Sequence, residues 1–542
     1  MKNKILIIVS SSLVLINLLG CPGAKRDELE FYRGQVDSLR NVISNFVIEY
    51  NQLKYESYVQ NQPFLISNLY KKYDKTFSQN DIDLINNLLK LEQRPERIER
   101  LERLKVFIYE KIVEKETAQL QDQIERLKNE ITFSTRKGKF KLDDLKEYLT
   151  NESNPRLRKS VYNSNLNSLE NLQKLQIQLL EKRKKIILDS LNFGSYLQFA
   201  SMIRQEDLSK FYSTVNDFIS STNDFYFQQL YELLRIQRYS QDYFNSSDIY
   251  SLTKDPRYER YFKSDSLQNI FLRTFYQIGF KIDSLPNLQI AFEQRDKRKA
   301  KLILPVKTRG FTIRIPEQSN LILDLANGCE SYYKAFSECG KLLPELFTKN
   351  EFFEIKYFGG DVIPLTFSNL FGNLLDEEKF LEDNLFNSSR VISNFLKQRS
   401  FNKLFNVRKL CADFIVEYLM IDSSQTNPDS LIQIYNSILG FNLLPGDKAR
   451  LFLSLNDYFA EVEQLNAIFT EAMMKTRIRE KFGNVWFKNS DLRTYLMNFF
   501  TKNRELSKDK FLVEIGYYNL DPRFFFNEVI SLKEKSKILR QR

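Results

Sequence analysis

The sequence predicts a mainly α-helical protein with one small β-sheet around residues 300–316. Three observations lead there. Residues 62–135 and 140–250 read as successive helices, and Val113, Thr117, Leu120, Ile124, Leu127 and Ile131 follow the 4-3-4-3-4 spacing of one helix side. Only residues 283–325 break this texture, where Lys301-Leu302-Ile303-Leu304-Pro305-Val306 and Phe311-Thr312-Ile313-Arg314-Ile315 read as short strands joined through Gly310. Apolar residues make up 42% of the 542 and aromatic residues 14%, ample for a large core and too much for a disordered chain. Length alone allows two to four domains, although a large helical protein can run as one unit.

In chain order, Met1 to Gly20 reads as an export signal: Lys2 and Lys4 at the charged end, an apolar run from Ile5 to Leu19, then Leu18-Leu19-Gly20-Cys21. That tetrapeptide resembles the lipobox of bacterial lipoproteins, which implies acyl chains such as palmitate on Cys21 and attachment to a membrane surface without spanning it. An uncleaved anchor is the alternative, though the run is short for a spanning helix. The expected organisation is therefore a signal peptide over 1–20, a lipidated polar tether over 21–61, and a folded helical domain over 62–542. The His-free composition, rich in Lys, Asn, Ile and Phe, is similar to that of spirochaete lipoproteins.

Removing Lys2 and Lys4 from the 80 basic side chains leaves 78 against 69 acidic ones, a net charge of +9. The charges are dispersed, no nucleic-acid-binding motif is present, and export argues against such a partner. Cys329 and Cys339 lie on one predicted helix about 15 Å apart, too far for a disulfide, and with Cys411 they read as buried thiols. The chain holds no histidine, which removes imidazole as a base or metal ligand and excludes the Ser-His-Asp and Cys-His arrangements.

The helical seam at 113–131 suits packing against a neighbouring helix of the same chain, with a coiled-coil dimer as the alternative. Asn151-Glu152-Ser153-Asn154-Pro155 marks a helix break. The basic run at 182–185 reads as a solvated face. A further helix is predicted from about Asn327 to Leu343, ended by Pro344.

That helix carries Phe336-Ser337-Glu338-Cys339-Gly340-Lys341-Leu342-Leu343. It resembles the F-H-E-x-G-H-A-L helix of the gluzincin zinc peptidases, in the branch with oligopeptidases and angiotensin-converting-enzyme-like enzymes. There two histidines one turn apart bind zinc and the intervening glutamate is the general base. Glu338, Gly340 and the flanking apolar residues stand in register; Ser337 and Lys341 hold the histidine positions. Other segments are similar to family elements in the right order. They are Glu181 to Tyr196 (a helix closing on a glycine cap and an aromatic anchor), Ala291 to Ala300, Pro364 to Leu375, Arg408 to Leu419, Glu471-Ala472 with Arg479 to Phe487, and Leu512 to Pro522. Together they cover most of residues 160–535.

The resemblance implies an all-helical zincin-like clamshell with a central cleft, its degenerate active-site region at 283–375. It also implies an edge strand that pairs with substrate backbone, here either still free to capture an extended peptide or covered. A third zinc ligand is expected roughly 25 residues beyond the second histidine position. Leu365 takes that place, or Asn369 in another register; neither is a carboxylate. The family's oxyanion tyrosine has no counterpart, and Gln464 and its neighbours sit where it would be sought. Serine is a poor ligand, leucine is none, and lysine brings a positive charge, so no zinc or other cofactor is expected. Glu338 and Lys341 can instead form an i,i+3 ion pair.

The expected function is that of a catalytically inactive, metallopeptidase-like lipoprotein of the cell envelope. It would be anchored at the outer membrane, cell surface or periplasmic leaflet and bind a peptide or protein in its cleft. The alternatives are a peptidase working without zinc, for instance through a Ser337–Lys341 dyad, and a helical adhesin or structural envelope lipoprotein. Ligand and oligomeric state are not fixed by the sequence.

Overall fold

Helices account for most of the described residues. The computed structural model describes residues 22–136, 138–294, 306–422, 427–455 and 457–538. The segment 1–20, the lipidation candidate Cys21 and Lys301 to Pro305 of the first expected strand lie outside these residues.

The first helix corrects the expected tether. α1 (Pro22–Val59) buries Val36, Ile43, Phe46 and Val47, positions that share one helix face. Phe46 meets the ring of Phe77 edge-on at 4.7 Å. Residues 22–59 are thus a wall of the fold. α2 (Gln79–Leu91) begins at Ser78, whose amide donates to Asp81 Oδ2 at 2.8 Å. In α3 (Pro95–Glu130) the predicted stripe turns inward: Val113, Thr117 and Ile124 are buried, with Leu120 and Leu127 partly so. It packs along α4 (Leu166–Lys185), so the stripe is used within the chain. Where a helix was expected to run on to residue 135, an antiparallel hairpin follows, β1 (Thr132–Thr135) and β2 (Gly138–Lys141).

The break at 151–155 is present, with Asn154 Oδ1 capping the helix that starts at Pro155 by accepting from Arg156 N at 3.0 Å. The basic run ending α4 is not simply solvated. Arg183 is buried and its Nη1 lies 2.6 Å from Asp457 Oδ1. After it the left-handed residue is Asn192 (φ 57°), not Gly194, and Tyr196 is buried as an anchor.

α5 (Leu208–Ile236) and α6 (Ser264–Ile278) lead to a three-stranded sheet of order β3 (Leu288–Gln294), β5 (Gln318–Leu325), β4 (Arg309–Arg314). β3 is parallel and β4 antiparallel to the central β5. The sheet therefore spans 288–325 rather than 300–316. β4 is the second expected strand. β5 is buried nearly throughout, so it lacks the alternation that would have separated it from the helix that follows.

That helix, α7 (Cys329–Phe347), runs through Pro344 instead of ending there. A proline forfeits the bond to the carbonyl four residues back; here Leu342, Leu343 and Leu346, all buried, hold the helix in place by packing. α8 (Val362–Gly372) lies along it, so close that a Cβ on Gly340 would stand 2.6 Å from the Phe367 carbonyl oxygen. α9 (Ser389–Asp422), α10 (Glu461–Phe482) and α11 (Arg523–Ile538) back this pair. A buried charge network ties them: Asp376 receives Arg399 at 2.7 Å and Lys403 at 2.9 Å, while Glu528 receives Lys403 at 3.0 Å and Lys475 at 2.8 Å.

Two large apolar cores result. One is built around α1, α2, α3, α5 and the second half of α9; the other around α6, β5, α7, α8 and the region of Trp486 to Ile515. The cleft described next lies between elements of the two.

Candidate ligand-binding cleft

One face of α7 is polar and opens on a cavity. Lys334, Glu338, Lys341 and Glu345 recur at 4-3-4 spacing, whereas Phe336, Cys339 and Leu343 on the opposite side are core. The cavity measures about 600 Å³ and takes its other walls from α1 (Tyr50, Lys54, Tyr58), α3 (Phe107, Lys111), β4 (Arg309 to Thr312), the turn before α8 (Tyr357, Phe358, Asp361) and Arg504. Phe107 and Phe358 stack at 4.1 Å, and Arg103 Nη1 donates to the carbonyls of Phe358 (2.9 Å) and Arg504 (2.7 Å), which closes one side.

Of the expected site residues, Glu338 and Lys341 line the cavity, but they do not pair. Glu338 Oε2 instead accepts a hydrogen bond from the Gly310 amide of β4 at 2.9 Å. α7 packs closely on Gly310: an added Cβ would lie 3.0 Å from two side-chain atoms of Leu342 and 3.3 Å from the Glu338 carbonyl oxygen. Among the described residues Lys341 has no ion-pair partner within 4 Å. Ser337 is buried; its hydroxyl donates to the Lys334 carbonyl at 3.3 Å, and its Cβ packs against Gly372 of α8. No hydrogen bond joins Ser337 to Lys341. Leu365 and Asn369 are half-buried on α8, and Gln464 half-buried on α10; none of the three lines the cavity. Among the described residues no three His, Cys, Asp or Glu side chains converge as a metal site would require.

The electrostatics are set by cations. Arg504 Nη2 reaches Glu345 Oε1 at 2.8 Å and Asp361 Oδ1 at 2.7 Å. Burial would raise the Asp361 carboxyl, yet Arg504, Lys341 and Lys54 bring it down to about 2. Enclosure by the cleft walls, with the charges of Arg309 and Lys341, pulls the Lys54 ammonium down to about 8. Tyr357 is held by its hydroxyl, which accepts from the Ile315 amide at 2.8 Å. Burial pushes Tyr58 up to about 12, so both hydroxyls are protonated donors at neutral pH.

β4 is an outer strand, but its edge is covered at this point. The Gly310 amide is taken by Glu338, the Tyr58 hydroxyl donates to Lys307 O at 2.7 Å, and the rings of Tyr55 and Tyr58 pack on Phe311 at 5.4 and 5.1 Å. Lys54, Tyr58, Arg309, Asp361 and Arg504 were not predicted as site residues. For Lys54 and Tyr58 a signal existed: the helical spacing of Val36, Ile43, Phe46 and Tyr50 marks residues 22–59 as a packed helix. Arg504 carries no such mark. Cys339 and Cys411 are free, buried thiols as expected, whereas Cys329 is free but only half-buried; desolvation still pushes its thiol up to about 12.

No family model matches the chain, and no curated protein matches it. Among solved structures it is similar to one described as "putative peptidase from Chlamydophila abortus", with a TM-score of 0.62 and 14% identity over 95% of this chain and 91% of that one. At that identity the likeness shows a shared fold. No helix among the described residues is long and apolar enough to cross a membrane.

Proposed function

We propose that this chain is a peptidase-like binding protein that captures a peptide or polypeptide segment in its cleft without cleaving it. One observation carries the reading: the glutamate in the position of a zinc peptidase's general base is bonded to the Gly310 amide, and an ammonium, Lys341, stands where a metal-binding imidazole would. Zinc peptidases need a metal to generate the nucleophile and polarise the carbonyl. The donor set does not fit zinc, since Ser337 faces α8, Leu365 has no donor atom, and Lys341 would repel a cation. Glu338 is the one carboxylate left at these positions. The sequence further supports attachment to an envelope membrane through Cys21.

Three measurements on the purified full chain test the proposal. Elemental analysis should find substoichiometric zinc, and a diverse peptide mixture should survive prolonged incubation. Peptides should bind, and substitutions at Lys54 or Lys341 should weaken them. Stoichiometric metal or chelator-sensitive cleavage would refute the inactive reading. Cleavage insensitive to chelator would point to a non-zinc hydrolase. Binding untouched by cleft substitutions would move the interaction to the outer surface. For the anchor, radiolabelled palmitate incorporation abolished by Cys21→Ser is expected; incorporation persisting in that variant would refute it.

A further inference from the structure

Most charged side chains lining the cleft have a hydrogen-bond or ion-pair partner, and those that have neither are cations. Glu345 and Asp361 are held by Arg504, and Glu338 by a backbone amide. Lys334 pairs with Glu330 at 2.9 Å and donates to Val306 O at 3.0 Å, while Lys111 pairs with Glu110 and Glu114. That leaves Lys54 and Lys341, which among the described residues have neither an ion-pair nor a hydrogen-bond partner. Arg309 is engaged by the faces of Tyr58 and Phe311, each 5.5 Å from its guanidinium carbon, so its N–H edge remains available. Three like charges from α1, α7 and β4 thus line one cavity of about 600 Å³, whose lining holds six cationic side chains against the three carboxylates of Glu338, Glu345 and Asp361.

Resting on the cleft-binding reading above, we propose that the ligand is an acidic peptide, with carboxylate groups received by Lys54 and Lys341 and flanked by Arg309. Each ammonium offers three donors, and the repulsion among the cations is relieved when a carboxylate enters. Lys341 is half-buried, whereas Lys54 and Arg309 keep exposed surface through which a ligand's carboxylates can approach. Lys54 is faced by Arg309 from β4, Lys341 from α7, Lys111 from α3 and Asp361 from the turn before α8. Its depressed proton affinity, about 8, follows first from desolvation and then from the charges of Arg309 and Lys341, and gives the site a pH signature. Protonation is complete well below pH 8 and lost above it. Affinity for a carboxylate therefore falls as pH rises through this range, with the midpoint moved upward in the complex because a bound anion favours the ammonium.

The test is fluorescence polarisation with the full chain and three labelled probes. One is a Glu/Ala peptide amidated at its C-terminus, the second its Gln/Ala counterpart with the same amide, and the third the Gln/Ala peptide with a free terminal carboxylate. Inorganic phosphate serves as competitor. The acidic probe should bind at least about tenfold tighter than the neutral amide, and Lys54→Gln and Lys341→Gln should each remove most of that difference. Lys54→Arg and Lys341→Arg should retain it, which separates loss of charge from loss of fold. Weakening between pH 7 and 9 should disappear in Lys54→Gln. A preference restricted to the third probe would assign the carboxylate to a chain terminus; phosphate competing at equal concentration would show that any small anion suffices and overturn the peptide assignment. Equal binding of acidic and neutral probes would overturn this inference while leaving the cleft-binding reading standing. No binding of any probe would remove both.

Discussion

Replacing Gly340 and Gly34 by alanine should change stability in opposite directions. Both are helical, and in an exposed helix Gly→Ala stabilises by about 0.5–1 kcal/mol through the unfolded chain's entropy and helix propensity. Gly34, on α1, is exposed with nothing within 4 Å of an added Cβ, so the full gain of about 0.5–1 kcal/mol is expected there. At Gly340 the added methyl would stand 2.6 Å from Phe367 O and 2.8 Å from Phe371 Cδ2, and the first obstacle is backbone that no rotamer change can move. Overpacking of this kind costs about 1–3 kcal/mol, and a rigid obstacle puts it near the upper end; less the propensity gain, a net loss of about 1–2 kcal/mol remains. The chain offers a local reporter. Its one tryptophan, Trp486, is fully buried in the core that holds α7 and α8, so its fluorescence during urea unfolding reads Gly340→Ala directly. Far-UV circular dichroism reads Gly34→Ala. A Trp486 midpoint that is unchanged or raised in Gly340→Ala would show that α7 and α8 do not meet backbone to backbone, and the argument for glycine in that motif would fail.

Further outcomes follow from other contacts. Phe46→Ala should destabilise the first core by about 3–5 kcal/mol in equilibrium unfolding, where a tether residue would give nothing. Asp248→Ala leaves Arg158 buried without its 2.7 Å partner and should cost about 3–5 kcal/mol, measured the same way. Burial would raise Asp376, but Arg399 and Lys403 hold it at about 2, below its unfolded value of about 3.9. Its contribution is therefore complete above pH 4 and lost as pH falls towards 2; urea titrations between pH 5 and 2 should show that loss, and Asp376→Asn should flatten it.

What could be read in advance divides along physical lines. Helices with a single apolar face, such as α3, announced themselves, as did the break capped by Asn154, because both signals are local. α1 was misjudged because its polar average hides a narrow stripe from Val36 to Tyr50. β5 was missed because a strand buried on both sides has no alternation to display. At the site, Glu338 and Lys341 were found from a motif, yet their pairing was not what the helix alone suggested. The winning partner, the Gly310 amide, comes from a strand 28 residues earlier, and no spacing rule along α7 contains it. Lys54 and Arg504 lie still further off in sequence, so their convergence is a product of packing.

If the resemblance to zinc peptidases holds, Lys341 exchanges one kind of positive charge for another. On the proposed reading, a zinc ion is absent, but positive charge stays in the same part of the cleft. A metal ion accepts lone pairs, and that lets it acidify water and polarise a carbonyl. An ammonium has no vacant orbital; it can donate hydrogen bonds and attract an anion, nothing more. Substituting an apolar residue at 341 would have left the Glu338 side of the cleft neutral or acidic once its amide bond is counted. Lysine instead adds a third positive charge beside Lys54 and Arg309; Asp361 offsets part of it, and on the proposed reading a negatively charged occupant would offset the rest. On the proposed reading, the same charges that disfavour water activation at this position select an anionic ligand for the cleft.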